Sequence, residues 1–197
     1  MELLLIRHAL PIRVEGAAGP ADPPLSDVGH RQAAALVRWL APEPLDALVV
    51  SPMARARETA APLATARGLD AEVHDGVAEF DRDADSYVPM EELKAAGDPR
   101  WQEIVAGGYF NGGDLTPQQF QATVVEAVEG IIAANAGATA AIVCHGGVIN
   151  AYVAHVLGID ELLFFEPGYT SISRIRASRR GHRMVVGLNE VAHLRHL

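Results

Sequence analysis

The sequence contains one cysteine, Cys144, so no intramolecular disulfide can form and the chain suits a reducing compartment. Long hydrophobic runs are also missing. The opening apolar run, Leu3-Leu4-Leu5-Ile6, ends at Arg7-His8 and falls far short of a secretory h-region. No window approaches the roughly 18 apolar residues of a membrane span. These absences lead to the expectation of a cytoplasmic protein with no membrane association. Positive charge is scarce: the net charge is −9 and lysines are few, which disfavours a broad nucleic-acid surface. Neither a Gly-x-x-x-x-Gly-Lys loop nor a Gly-x-Gly-x-x-Gly turn occurs, so nucleotide-driven chemistry has no support. Cysteine-based phosphatase chemistry needs Cys-x₅-Arg, and the residue six after Cys144 is Asn150. His74, His155, His182, His193 and His196 lack metal-like spacing, and His193-Leu-Arg-His196 reads as a solvated tail. The expectation is therefore no metal and no cofactor.

What is present is a core-forming composition. Of 197 residues 49% are hydrophobic, enough for a domain of this length to fold without staples. With no internal repeat and no linker composition, residues 1–197 read as one domain with a covering insertion at about 80–117. Met1–Ile6 reads as a buried strand, and 9–27 as a Pro/Gly-rich loop. Ser26 caps a helix over Val28–Leu40, whose Ala33, Leu36, Val37 and Leu40 share one face. Leu45–Val50 is the next strand, and Ser51-Pro52 reads as the cap and first position of a helix running to Arg67. Ala71–His74 is a short strand leading to the acidic stretch Glu79–Asp85. A short helix is expected near Met90–Ala96. The segment 101–113, with Trp101, Tyr109, Phe110 and several glycines, reads as a packed lid or a pocket wall. Helix follows at Pro117–Asn135, strand at Thr139–Cys144, helix at Val148–Leu157, and a closing strand pair at Ser171–Ala177 and Arg183–Leu188.

This alternation argues for an α/β fold, a mainly parallel sheet covered on both faces. Ligands bind such sheets beyond the carboxyl ends of the strands. Arg7-His8, Ser51 to Arg55, Glu79 and His145-Gly146 all follow strand ends, so distant residues converge on one crevice. An unprotonated imidazole with its second nitrogen held attacks phosphorus well, which suits His8. Arg7 and Arg55 offer guanidinium forks for phosphoryl oxygens. His145 adds a donor, and Gly146-Gly147 open a helix whose N–H groups favour an anion. Glu79 suits a general acid that becomes a general base, although Asp81, Asp83 and Asp85 crowd the same loop. No metal is needed where arginine and histidine carry the positive charge.

Four ordered motifs then resemble the histidine phosphatase superfamily, the phosphoglycerate mutase-like fold. Leu5-Ile6-Arg7-His8-Ala9 resembles the Arg-His-Gly signature, and Leu25-Ser26-Asp27-Val28-Gly29-His30-Arg31-Gln32-Ala33 the Leu-Ser-x-x-Gly-x-x-Gln-Ala turn. Ser51-Pro52-Met53-Ala54-Arg55-Ala56-Arg57-Glu58-Thr59-Ala60 is similar to Ser-Pro-x-x-Arg-Ala-x-x-Thr-Ala, and Val143-Cys144-His145-Gly146-Gly147 to the second histidine motif. The resemblance implies a three-layer α/β/α sandwich, phosphorylation of His8, phosphate held by Arg7, Arg55 and His145, and proton donation by Glu79. Ala9 matches the Arg-His-Ala branch, dominated by phosphatases. Phe80-Asp81-Arg82-Asp83 lacks the Gly-x-Trp-Glu-Gly pattern common in mutases, and Gly146 replaces the aspartate of the acid-phosphatase branch. Where the family places an asparagine in the following loop this chain offers Arg13, expected to be an extra anion contact. The expected activity is hydrolysis of a small phosphorylated molecule or a phosphoprotein. The competing readings are a phosphomutase, which would need a second cation cluster, and a phosphate-binding module without catalysis.

Overall fold

A computed structural model describes residues 1–105 and 115–197. The elements run β1 (Glu2–Arg7), α1 (Asp27–Leu40), β2 (Ala47–Val50), α2 (Ala54–Arg67), β3 (Ala71–Val73), α3 (Met90–Ala96), α4 (Pro99–Val105), α5 (Pro117–Ala134), β4 (Thr139–Cys144), α6 (Gly146–Leu157), β5 (Ile172–Ala177) and β6 (Arg183–Glu190). The strands form one sheet in the order β3-β2-β4-β1-β5-β6. The pairings β3-β2, β2-β4 and β4-β1 are parallel, whereas β5 and β6 join antiparallel. The sheet is mainly parallel as expected, with the closing pair β5 and β6, joined by the tight turn at Arg180-Gly181, forming an antiparallel margin.

Side chains along β1 alternate between two cores, as strand geometry requires. Leu3 and Leu5 pack with Phe120, Val124, Val128 and Ile149 under α5 and α6. Leu4 and Ile6 pack with Leu36, Leu40, Leu48 and Leu63 under α1 and α2. Because both faces are covered, the strand reads as an unbroken apolar run. Each of these leucines is at most 2% exposed, so truncation to alanine costs about 2–5 kcal/mol.

Helix α1 begins as its sequence dictates: the Ser26 hydroxyl accepts from Gly29 N–H at 3.1 Å. The helix at Ser51-Pro52 does not. Its first residue is Ala54 and its N-cap is Met53, with no side-chain cap, so Ser51 is free for another use. Helix α6 starts two residues earlier than expected, at Gly146. Helix α4 has no counterpart in the sequence reading. Of the expected lid or wall at 101–113, residues 106–113, with Tyr109 and Phe110, lie outside the described residues.

Candidate active site

The parallel strands β1, β2 and β4 end side by side, and the loops that leave them meet in one cavity of about 300 Å³. Arg7, His8, Arg55, Glu79 and Gly146 line it. Two of the ordered motifs have as their local task the fixing of the turn after His8. The Thr59 hydroxyl accepts from Ala9 N–H at 2.9 Å while donating to Arg55 O at 2.7 Å. The Gln32 side chain accepts from Leu10 N–H at 2.9 Å, and the Ser26 hydroxyl donates to Leu10 O at 2.9 Å. Gly29 makes this approach possible: a Cβ there would lie 2.2 Å from Leu10 O. On the other side, His8 N–H donates to Cys144 O at 2.9 Å, and His8 O accepts from Thr170 N–H at 3.3 Å. Thr170 has φ +53°, unusual for a β-branched residue, so the contact to His8 is held at a local conformational cost.

His8 is 2% exposed, and its Nδ1 donates to Ala9 O at 2.8 Å, which leaves Nε2 as the unprotonated nitrogen. Burial, then the charges of Arg55 and Arg7, hold its pKa well below the ordinary histidine value. The ring is therefore neutral at neutral pH. The pKa of His145, 5.1 Å from His8 between ring centroids, is likewise held well below the ordinary histidine value, by burial first and then by Arg55, His8 and Arg7. Its Nε2 lies 2.6 Å from the Ser51 hydroxyl.

Each arginine is anchored on one side and open on the other. Arg7 donates from Nη1 to Pro167 O at 2.6 Å and to Glu91 at 3.3 Å, with the guanidinium 4.0 Å over the Tyr169 ring. Arg55 donates from Nη2 to Asp81 at 3.1 Å and lies 4.6 Å over the Tyr87 ring. Arg7 Nε, Arg55 Nε and Nη1, and His145 Nδ1 are buried with no hydrogen-bond partner among the described residues. Buried donors are normally satisfied. The three arginine nitrogens belong to residues that line the cavity, with His145 behind His8, and guanidinium donors so left suit an anion with several acceptor oxygens.

Glu79 sits at the start of α6. Its Oε2 accepts from Gly147 N–H at 2.8 Å and its Oε1 from Phe80 N–H at 3.2 Å. Those bonds and Arg55 favour the carboxylate, but burial and the charge of Asp81 outweigh them, raising its pKa to about 7. The N–H of Gly147, expected to face an anionic ligand, is thus taken by Glu79. Arg13 is not brought to the cavity. It is half-exposed and pairs with Glu15 and, at 3.1 Å, with Glu92, tying the 11–16 loop to α3. Arg57 is exposed on α2, and Cys144 is buried with its thiol pKa pushed up by desolvation. Sequence reasoning missed Ser51 as a partner of His145, and Tyr87 and Tyr169 as the faces on which the two guanidinium groups lie. Only tertiary structure brings those tyrosines to the arginines.

This architecture, a central sheet between two helical layers with the site at the ends of its parallel strands, places the protein in the phosphoglycerate mutase-like class of α/β folds. Residues 3–190 match the profile of the histidine phosphatase superfamily (branch 1), and the chain belongs to that superfamily. It is 30% identical to phosphoserine phosphatase 1 of Hydrogenobacter thermophilus, over 98% of this chain and 94% of that one. Among solved structures, phosphoserine phosphatase from Entamoeba histolytica, bound to 3-phosphoglyceric acid, is similar with a TM-score of 0.77 and 23% identity over 98% of each chain. A mycobacterial glucosyl-3-phosphoglycerate phosphatase in complex with VO3 has a TM-score of 0.76 and 20% identity, over 96% of this chain and 98% of that one.

Proposed function

We propose that this chain is a phosphatase that hydrolyses phosphomonoesters in two steps through a phosphohistidine at His8. The observation that carries the reading is the neutral, buried His8, tethered through Nδ1 and set between two arginines with open donors. In the first step His8 Nε2 attacks phosphorus and the P–O ester bond breaks. The Glu79 carboxyl gives its proton to the departing alkoxide oxygen. In the second, the Glu79 carboxylate takes a proton from water, whose oxygen attacks phosphorus as the P–N bond breaks. Inorganic phosphate leaves, and His8 and Glu79 return to their starting states. Arg7, Arg55 and His145 stabilise the phosphoryl oxygens, which bear the charge in a loose transition state. Gly146 lines the cavity, where an added Cβ would meet only Arg7 Nε, at 3.9 Å.

In this scheme the positive charge comes from the chain's own guanidinium groups, so turnover is expected to persist in a chelator. The segment at about 80–117 acts as the cover of the site within one domain spanning 1–197, and the substrate is a small phosphorylated molecule. The single, buried Cys144 suits a cytoplasmic setting; no described helix is long and apolar enough to cross a membrane. Among the described residues the cations at the rim, Lys94 and Arg100, are matched by Glu166 and Asp98, which leaves a phosphomutase without a second phosphate cradle.

The test is turnover of p-nitrophenyl phosphate with and without vanadate, beside His8→Ala. The expected result is vanadate-sensitive turnover, lost in the variant, with an acid-labile phosphoryl adduct on rapidly quenched wild-type protein. Undiminished turnover in His8→Ala would sink the mechanism.

A further inference from the structure

We infer that the leaving-group half of this cavity selects phosphomonoesters of uncharged, apolar alcohols and discriminates against esters carrying a second anionic group. The inference rests on the phosphatase reading above and adds the substrate class to it.

Beyond the phosphoryl cradle, part of the described wall of the cavity is apolar, and three segments supply this apolar face. Phe80 follows Glu79, Met90 and Leu93 belong to α3, and Leu163 and Phe165 lie in the loop after α6. This wall is held in place rather than loosely collapsed. The Asn150 side chain, 1% exposed, accepts from Phe164 N–H and Phe165 N–H, both at 3.2 Å. Its Nδ2 donates to Phe165 O at 3.0 Å and to Gly146 O at 2.9 Å. One side chain thus couples the apolar wall to the phosphate end of the cavity. Phe80 is fixed in turn by its edge-on contact with Phe120 of the core, 5.8 Å between centroids. An alcohol that buries carbon against a preformed wall gains roughly tenfold or more for each methylene.

The charges at the mouth point the same way. Once Arg7 and Arg55 engage the phosphoryl group, the remaining charged lining is Lys94 and Arg100 against Asp81, Glu91 and Glu166. Both cations already have carboxylate partners, Lys94 with Glu166 at 3.1 Å and Arg100 with Asp98 at 2.8 Å and Glu15 at 3.6 Å. Glu91 stands at the edge of the cradle, joined to Arg7 at 3.3 Å and to the Tyr169 hydroxyl at 3.1 Å. A carboxylate on the substrate would approach surplus acid at a distance well inside the screening length of about 8–10 Å. An uncharged chain meets no such cost.

The experiment compares kcat/KM of the full chain for 2-phenylethyl phosphate, ethyl phosphate, phosphoserine and 3-phosphoglycerate. All four release a primary alkoxide, so leaving-group ability is nearly matched and recognition is isolated. The expected order places 2-phenylethyl phosphate about tenfold or more above 3-phosphoglycerate, chiefly through KM, with phosphoserine between them. Phe165→Ala is expected to shrink the ratio of 2-phenylethyl to ethyl phosphate by about tenfold. Glu166→Gln, at an exposed position that does not threaten folding, is expected to raise 3-phosphoglycerate relative to 2-phenylethyl phosphate severalfold. Equal or better kcat/KM for phosphoserine or 3-phosphoglycerate in the wild-type chain overturns the inference, even while His8-dependent turnover of p-nitrophenyl phosphate persists. Absence of that p-nitrophenyl phosphate turnover instead removes the phosphatase reading on which the inference stands.

Discussion

The Ser51 hydroxyl and His145 Nε2 lie 2.6 Å apart, both fully buried, and this bond sets which nitrogen of His145 can donate toward the cavity. Because burial and Arg55 keep His145 neutral, one ring nitrogen carries the proton and the other does not. With Ser51 donating to Nε2, the proton stays on Nδ1, the nitrogen with no other partner among the described residues. Under the proposed mechanism Ser51 is thus a positioning residue. Ser51→Ala is expected to lower kcat/KM about tenfold, the worth of one hydrogen bond's orientation, with KM nearly constant. Steady-state kinetics beside a melting curve checks this. An unchanged kcat in a fully folded variant would refute the role.

The raised Glu79 pKa gives activity a definite pH shape. The first step needs Glu79 protonated and His8 neutral. His8 is already neutral well below the ordinary histidine range, so the phosphorylation rate is expected to hold through mildly acidic pH and fall as pH rises through about 7. Asp81 is the second cause of that raised value, and it is itself engaged by Arg55 at 3.1 Å. Asp81→Asn removes a neighbouring negative charge, so the alkaline limb should move to lower pH. Glu79→Gln should abolish the limb and cost about 10²–10⁴ in rate for alkyl phosphates. Rapid-quench phosphorylation rates against pH test all three variants of the profile. A limb that survives Glu79→Gln would assign the proton to another group.

Gly147 offers a steric test of the same carboxyl. A Cβ at this position would lie 2.3 Å from Glu79 Oε1 and 2.9 Å from the Phe80 ring, whereas one at Gly146 would meet only Arg7 Nε at 3.9 Å. Gly147→Ala must therefore push Glu79 aside, and a displacement near 1 Å costs on the order of 10² in rate. Gly146→Ala, with ordinary contact, is expected to lose less than about tenfold. The pair is informative because both glycines sit in the first turn of α6, so a general helix effect would strike them alike. Comparable losses in the two variants would discount the Glu79 contact.

These residues also show how far the sequence could be read. Three of the four motifs carry Arg7, His8, Arg55 and His145, and Glu79 was read from its place after the third strand; all follow strand ends, and strand ends of a parallel sheet share one edge. Ser26 was legible as a cap because capping is local. Ser51 was not: Ser-Pro is an equally good helix start, and the competing bond goes to His145, 94 residues away. The choice between Glu79 and Asp81 was likewise beyond the sequence, since both are acids of one loop. Only packing buries Glu79 against Gly147 and turns Asp81 onto Arg55. The faces of Tyr87 and Tyr169 beneath the arginines have no sequence signal, because stacking depends on the meeting of separate loops.

Arg13 and Arg55 contrast an arginine whose fork is spent on surface ion pairs with one that we propose holds the phosphate. Both have carboxylate partners, so an ion-pair census would rank them alike. Their surroundings do not. Arg55 is 1% exposed, with Nε and Nη1 buried and without a hydrogen-bond partner among the described residues, Nη1 3.9 Å from Asp22, and its plane against Tyr87. Arg13 is half-exposed, and its fork is spent on Glu15 and Glu92. Exposed pairs contribute little, whereas a buried donor aimed at developing charge is worth several orders of magnitude in rate. Arg55→Ala is expected to reduce kcat/KM by about 10²–10³ and to weaken vanadate inhibition in parallel. Arg13→Ala should change both by less than about twofold. A large loss of vanadate affinity in Arg13→Ala would restore it to the anion site that its place in the sequence suggested, and would require the 11–16 loop to turn inward when phosphate binds.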